Sequence, residues 1–224
     1  MSRNPESNMQ IAFLLYEGFT PLDAVGPYQV LAALPGARAV FVAERAGPVR
    51  SDSGCSIVAE RRLADVSSPD IVVVPGSLTS FTDAARNEPI LAWLREVSAG
   101  AEYVTSVCTG SLLLAAAGLL AGRPATTHWA ARELLAGLGV TVVPERIVDT
   151  GRVITAAGVS AGIDMALHLA RRTHGDDVAR AIQLGIEYDP APPFDSGSAK
   201  KASPAIVRAV LAGLSSRGAH WLSR

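Results

Sequence analysis

Four apolar runs constrain this chain more than any other feature. Residues 10–16 (QIAFLLY), 39–43 (AVFVA), 71–74 (IVVV) and 102–107 (EYVTSV) have few polar breaks and are too short to be buried helices. Segments with apolar residues at helical spacing separate them, over 22–34, 88–98, 112–120, 130–138, 159–172 and 178–188. Strands that are apolar on both faces and alternate with helices belong to a mainly parallel sheet covered on both sides. Shorter features fit around that frame. A Ser-Asp-Ser-Gly turn predicts a hairpin within 49–59, and a second hairpin joins 146–148 to 153–155 about Asp149-Thr150-Gly151. A further strand is expected over 140–143 and a last helix over 205–214.

The 224 residues suit one domain with a sizeable core, and no repeat or low-complexity linker divides them. The Pro/Ser-rich stretch 190–203 reads as an ordered arm or loop. A hydrophobic content of 49% against 18% charged residues excludes global disorder. The formal net charge of −1 shows no basic excess for nucleic acid and no acidic tail for a basic partner. No apolar run reaches the roughly 18 residues of a membrane span, and the polar start lacks the apolar core of a signal peptide. The expectation is a cytoplasmic protein with reduced thiols: a domain over 9–214, a disordered N-terminus over 1–8 and a C-terminal tail over 215–224. Two cysteines, Cys55 and Cys108, exclude a disulfide framework and paired CxxC zinc sites.

The two cysteines have different settings. In YVTSVCTGSLLL a β-branched strand runs into Cys108, and an apolar helix starts at once behind Gly110. This is the shape of a nucleophile elbow without the first glycine of G-x-S-x-G. A cysteine there faces unpaired N–H groups and the positive end of a helix, which favour thiolate and predict a lowered pKa. Cys55, after Asp52-Ser53-Gly54, has no helix behind it and reads as an ordinary small buried residue. Two more strand ends share the edge where open α/β sheets place ligands. One leads to Asp23, a carboxyl among Leu22, Ala24 and Val25 that is either a helix-terminal cap or a proton donor near the thiol. The other is Val74-Pro75-Gly76-Ser77, where a loop can turn N–H groups into the crevice.

In this order LLYEGFTPLDAVGP, VVVPGS, YVTSVCTGSLLLAAAGLL, ATTHWA, VITAAGVSAGIDMALHLA and QLGIEYDPAPPFDSGS resemble the ThiJ/PfpI superfamily, and within it the isonitrile (isocyanide) hydratase branch. The resemblance covers residues 10–198 and implies a single-domain, flavodoxin-like fold akin to class I glutamine amidotransferases. It implies that Cys108 attacks the terminal carbon of an isocyanide to give a thioimidate, which water releases as an N-substituted formamide. Asp23 would be the general acid/base, and Thr109 a hydroxyl near Asp23 or the water. Gly76 and Ser77 would supply oxyanion N–H groups. No metal or organic cofactor is implied; the partners are an isocyanide substrate and a second copy of the chain, with no nucleic acid and no membrane.

The chain departs from relatives at three places. Ser77 stands where many have a second glycine, Thr109 where protease-like relatives have histidine, and Ala156-Ala157-Gly158 is less glycine-rich. Elsewhere a structural hydrogen bond is expected for His128, a structural place for Asp164 and a solvated helix end for Arg171-Arg172. Two other functions share these motifs. One is a ligand-sensing domain like those of AraC-type transcription regulators, although only a short helical tail follows Ser203. The other is a redox-sensing or glyoxal-acting cysteine protein.

Overall fold

A computed structural model describes residues 8–216. In chain order the elements are β1 (Met9–Leu14), α1 (Pro21–Leu31), β2 (Ala37–Ala43), β3 (Gly47–Arg50), β4 (Ser56–Ala59), β5 (Arg61–Arg62), β6 (Ile71–Val74), α2 (Phe81–Ala84), α3 (Glu88–Gly100), β7 (Tyr103–Val107), α4 (Gly110–Ala116), β8 (Pro124–Ala125), α5 (Arg132–Gly137), β9 (Thr141–Val142), β10 (Ile147–Asp149), β11 (Val153–Ala156), α6 (Ala161–His174), α7 (Asp176–Gly185) and α8 (Pro204–Ser216). Seven strands form the main sheet in the order β10-β11-β7-β6-β1-β2-β5, all parallel except β10.

Side-chain alternation sorts the strands' residues onto two cores. Ala12, Leu14, Val72 and Val74 face one cluster, which includes Leu94 and Val97 of α3 and Leu113 and Leu114 of α4. Ile11, Phe13, Ile71 and Val73 face the other, with Val30 and Leu31 of α1 and Met165 and Leu169 of α6. Every residue of β6 and β7 is buried. Each aliphatic side chain among them contributes about 1.5–3 kcal/mol, and the polar Thr105 is accommodated by donating to Val72 O at 3.0 Å. The ends of elements are tied in as well. Arg152, just before β11, donates to Ser98 O and Ala101 O, each at 2.7 Å, and so satisfies carbonyls at the C-terminus of α3.

Several boundaries differ from the sequence reading. The helix expected over 112–120 is only α4, Gly110–Ala116, because Gly118 turns the chain at φ +80°. The helix expected to reach residue 34 stops at Leu31, and the one expected over 130–138 is a 3-10 turn, Trp129–Ala131, followed by α5. Both expected hairpins are present, β3 with β4 and β10 with β11. The two-residue strands β5 and β8 and the four-residue α2 carry too short a pattern to be seen in advance. Of the expected disordered start and tail, residues 1–7 and 217–224 lie outside the described residues, while Ser215 and Ser216 continue α8. Among the described residues no helix is long and apolar enough to cross a membrane.

The strand order reverses between β1 and β6. From β1 the chain proceeds outward to β2 and β5, and from β6 it proceeds the other way to β7 and β11. The loops after β1 and β6 therefore diverge at their carboxyl ends, the place where open α/β sheets form a crevice. Cys108 follows β7, the next strand along.

Candidate active site

Cys108 has φ +58°, in the left-handed region that a non-glycine residue enters at a cost on the order of 1–3 kcal/mol. Its surroundings hold it there. The Cys108 N–H donates to Ala156 O at 3.1 Å and to Ala157 O at 2.9 Å, at the end of β11. Its carbonyl accepts from Thr127 Oγ1 at 3.0 Å and Ser111 Oγ at 3.2 Å. Gly110 completes the turn, since a Cβ there would lie 2.2 Å from Val74 O. Strand, turn and helix thus place the Cys108 side chain at the carboxyl edge of the sheet with no exposed surface.

The loops from β1 and β6 close on the same point. Asp23, in the first turn of α1, is fully buried. It does not act as a helix cap: its Oδ2 accepts from Gly76 N–H at 2.9 Å, across the switch point. Its Oδ1 has no hydrogen-bond partner. Thr109 and Ser77 are joined twice, with Ser77 N–H donating to Thr109 Oγ1 at 2.8 Å and Thr109 Oγ1 donating to Ser77 O at 2.7 Å. Ser77 Oγ in turn accepts from the N–H groups of Thr79 and Ser80. Gly76 is obligatory at this junction. A Cβ would stand 2.6 Å from both Thr109 N and Thr109 Oγ1, and 2.9 Å from Asp23 Oδ2.

These contacts revise two expectations. Gly76 and Ser77 do not present free N–H groups to the crevice; both are engaged, on Asp23 and Thr109, as described. The Cys108 thiol is also pushed up rather than down. Burial dominates and the neighbouring Asp23 adds to it, while the N–H groups of Thr109 and Val159 at the sulfur pull the other way without prevailing. Burial likewise raises Asp23 to about 7, against the Gly76 N–H and the thiol, which favour its charged form. Below about pH 7 both acids therefore keep their protons, and above it Asp23 ionises while the thiol remains protonated.

Sequence reasoning missed four contributors. Tyr16, just past β1, is buried and donates from its hydroxyl to Pro75 O at 3.1 Å. Asp52, in the β3–β4 hairpin, accepts from Thr20 Oγ1 at 2.5 Å and from Leu78 N–H at 3.4 Å, tying both site loops together. Val159 has φ +34°, a conformation that no propensity announces for a β-branched residue. Thr127 lay in the ATTHWA motif, where a small polar residue inside an apolar stretch was the available signal.

The remaining polar residues are now placed. His128 Nδ1 accepts from Ala130 N–H at 3.3 Å, and burial, with Arg132 nearby, lowers the ring to about 4, so it is neutral. Asp164 pairs with Arg146. Arg172 is not simply solvated: it pairs with Asp149 at 2.6 Å and lies over the Tyr103 ring at 5.2 Å. Cys55 is exposed rather than buried, with Sγ 3.2 Å from Ser51 Oγ. No group of three or more potential metal ligands exists among the described residues.

Residues 9–172 match the profile described as the DJ-1/PfpI family. The chain is 45% identical over 199 residues to isonitrile hydratase of Pseudomonas putida, covering 89% of this chain and 87% of that protein. It is 31% identical over 185 residues to the HTH-type transcriptional regulator CdhR of Pseudomonas aeruginosa, and there it spans about half of that protein's length, 53%. The crystal structure of a ThiJ/PfpI family protein from Pseudomonas syringae superposes with a TM-score of 0.88 at 38% identity, covering 97% of this chain and 92% of the other.

Proposed function

Because the chain belongs to the DJ-1/PfpI family, we propose that it is an isonitrile hydratase in which Cys108 is the nucleophile and Asp23 carries the proton. The observation that carries this reading is a fully buried thiol beside a fully buried carboxyl with one unpartnered oxygen. The identity of 45% to a hydratase over most of both chains, against 31% to a regulator of which the chain spans 53%, favours catalysis over sensing.

The chemistry uses the proton on the thiol when Asp23 is ionised. Asp23 takes the thiol proton as sulfur bonds to the terminal carbon of R–N≡C. The lone pair that the carbon retains then receives the same proton from Asp23, giving the thioimidate R–N=CH–S. Water adds to this carbon as Asp23 accepts one of its protons and passes it to the nitrogen, giving the tetrahedral R–NH–CH(OH)–S adduct. The C–S bond then breaks as the hydroxyl proton passes through Asp23 to the leaving sulfur, which releases R–NH–CHO and resets the pair. The soft, polarisable sulfur suits a carbon-centred electrophile, and no step calls on a metal or an organic cofactor. Thr109 acts by fixing the elbow to the β6 loop through Ser77. Gly76 acts by orienting Asp23. The N–H groups of Thr109 and Val159 meet negative charge on the sulfur.

The test is direct. Incubation with an alkyl or aryl isocyanide is expected to give the N-substituted formamide in many turnovers per chain, with loss of the N≡C stretch. Absence of formamide from folded protein would refute the assignment.

We also propose that the protein is a homodimer. Leu184 of α7, Phe194 of the 190–203 arm, and Ile206 and Val210 of α8 are exposed, and the last two share one helix face. Exposed apolar side chains of this kind suit burial against a second copy. Sedimentation equilibrium at micromolar concentration should give twice the 23.3 kDa chain mass, and Phe194→Asp with Val210→Asp should reduce it to one. A monomeric wild type would remove the proposal.

A further inference from the structure

Asp23 and Tyr16 are bound to opposite ends of one peptide group. Tyr16 Oη donates to Pro75 O at 3.1 Å, and the N–H of the same peptide, Gly76 N–H, donates to Asp23 Oδ2 at 2.9 Å. The carbonyl and N–H of a trans peptide point in opposite directions, so the phenol and the carboxylate lie on either side of it. Among the described residues no other side chain is bonded to this peptide, and the next one is fixed independently: Thr20 N–H donates to Gly76 O at 2.8 Å. Both the Tyr16 ring and the Asp23 carboxyl are buried, where such chains polarise most.

We propose that Tyr16 is a positioning residue for the reaction, which sets the orientation and the acidity of Asp23 through the Pro75–Gly76 peptide. A hydroxyl donating to the carbonyl draws electron density toward oxygen and makes the N–H a better donor to carboxylate. It also holds the peptide plane, so that the N–H keeps its aim at Oδ2. The charged form of Asp23 is the one that gains. The groups able to titrate around this chain are Asp23, Cys108 and Asp52, and all three raise the phenol, as does its burial, so Tyr16 stays protonated and remains a donor throughout the working range. Asp52 is the outermost of these, bound to Thr20 and Leu78 rather than to the peptide.

This inference rests on reading Asp23 as the proton carrier, and its test reads the carboxyl directly, without substrate. The protonated Asp23 carboxyl is followed by its infrared C=O stretch across pH, with Asp23→Asn protein subtracted. Tyr16→Phe keeps the ring and removes only the hydroxyl, and should move the Asp23 midpoint upward by about half a pH unit. Placing 3-fluorotyrosine at position 16 makes the phenol a stronger donor and should move the midpoint downward. Loss of packing cannot produce opposite shifts from two substitutions of nearly equal shape. In turnover, the acid limb of kcat/KM should follow the infrared midpoint in both proteins. An unchanged midpoint in Tyr16→Phe, or a shift in the same direction for both substitutions, would overturn the proposal. Failure of isocyanide turnover with the two opposite infrared shifts present would sink the hydratase reading while leaving this one standing.

Discussion

Cys108→Ala protein is expected to stay folded and to lose formamide formation by at least about 10⁴-fold, the scale on which removal of a covalent nucleophile acts. The thiol contributes little to the fold. The elbow is held by backbone and neighbouring groups: the bonds from Cys108 N–H to Ala156 O and Ala157 O, and those from Thr127 and Ser111 to its carbonyl. None of these uses the sulfur. Alanine also tolerates φ +58° about as poorly as cysteine does, so strain is unchanged. Loss of one buried sulfur costs roughly 1 kcal/mol, a few degrees in melting temperature. Cys108→Ser should be nearly as inactive, because a hydroxyl is a hard and weakly acidic nucleophile toward carbon. Intact mass spectrometry of wild type quenched during turnover should show a fraction heavier by one whole isocyanide, since the adduct keeps every atom of both partners. Turnover by the Ala variant within tenfold of wild type would place the chemistry elsewhere.

Asp23→Asn should reduce kcat by about 10²–10⁴-fold, the usual reach of a positioned proton donor, and should stabilise the protein as it does so. The sign follows from the folded state holding the Asp23 proton up to about pH 7, far above the ordinary carboxylate value of 3.8. Below pH 4 both folded and unfolded chains are protonated and the group is silent. Between 4 and 7 the unfolded chain ionises first, so wild type loses stability as pH rises; above 7 the loss is complete. A shift of this size corresponds to at most about 4 kcal/mol, and asparagine, which does not titrate, escapes it. Its amide oxygen still accepts from Gly76 N–H. Urea melts of both proteins at pH 4, 6 and 8 should show the variant gaining about 2–4 kcal/mol relative to wild type across the series. A gap that is flat with pH, or that closes as pH rises, would show that the carboxyl does not keep its proton in the folded chain.

Much of the fold was legible because its strands are apolar on both faces. IVVV predicts β6 to the residue, and EYVTSV misses β7 by one. Short elements escaped because two or four residues show no period: Arg61–Arg62 pairs with β2 only because the chain passes alongside it. Helix ends erred where apolar sequence continued past a turn, as at Leu119 and Leu120 beyond α4. At the site, Cys108, Asp23, Thr109, Gly76 and Ser77 were nominated and do meet. What their atoms do was not legible. The direction of the thiol's shift depends on burial and on Asp23, 85 positions away in sequence, and both are set by packing rather than by the local motif. Tyr16 was hidden for a related reason: it reads as one more aromatic at the end of an apolar strand, and only the β1–β6 pairing brings Pro75 within its reach.

The complete enclosure of Cys108 has a consequence for what the protein reacts with. A sulfur with no exposed surface is screened first by cross-section and only then by reactivity. An isocyanide presents its carbon at the tip of a linear, two-atom rod, narrower than a planar amide or a branched carbonyl. Such a rod can enter where other carbon electrophiles are stopped before any bond is made. Selectivity of this kind is set by cross-section at the enclosed sulfur and needs no charged anchor for the substrate.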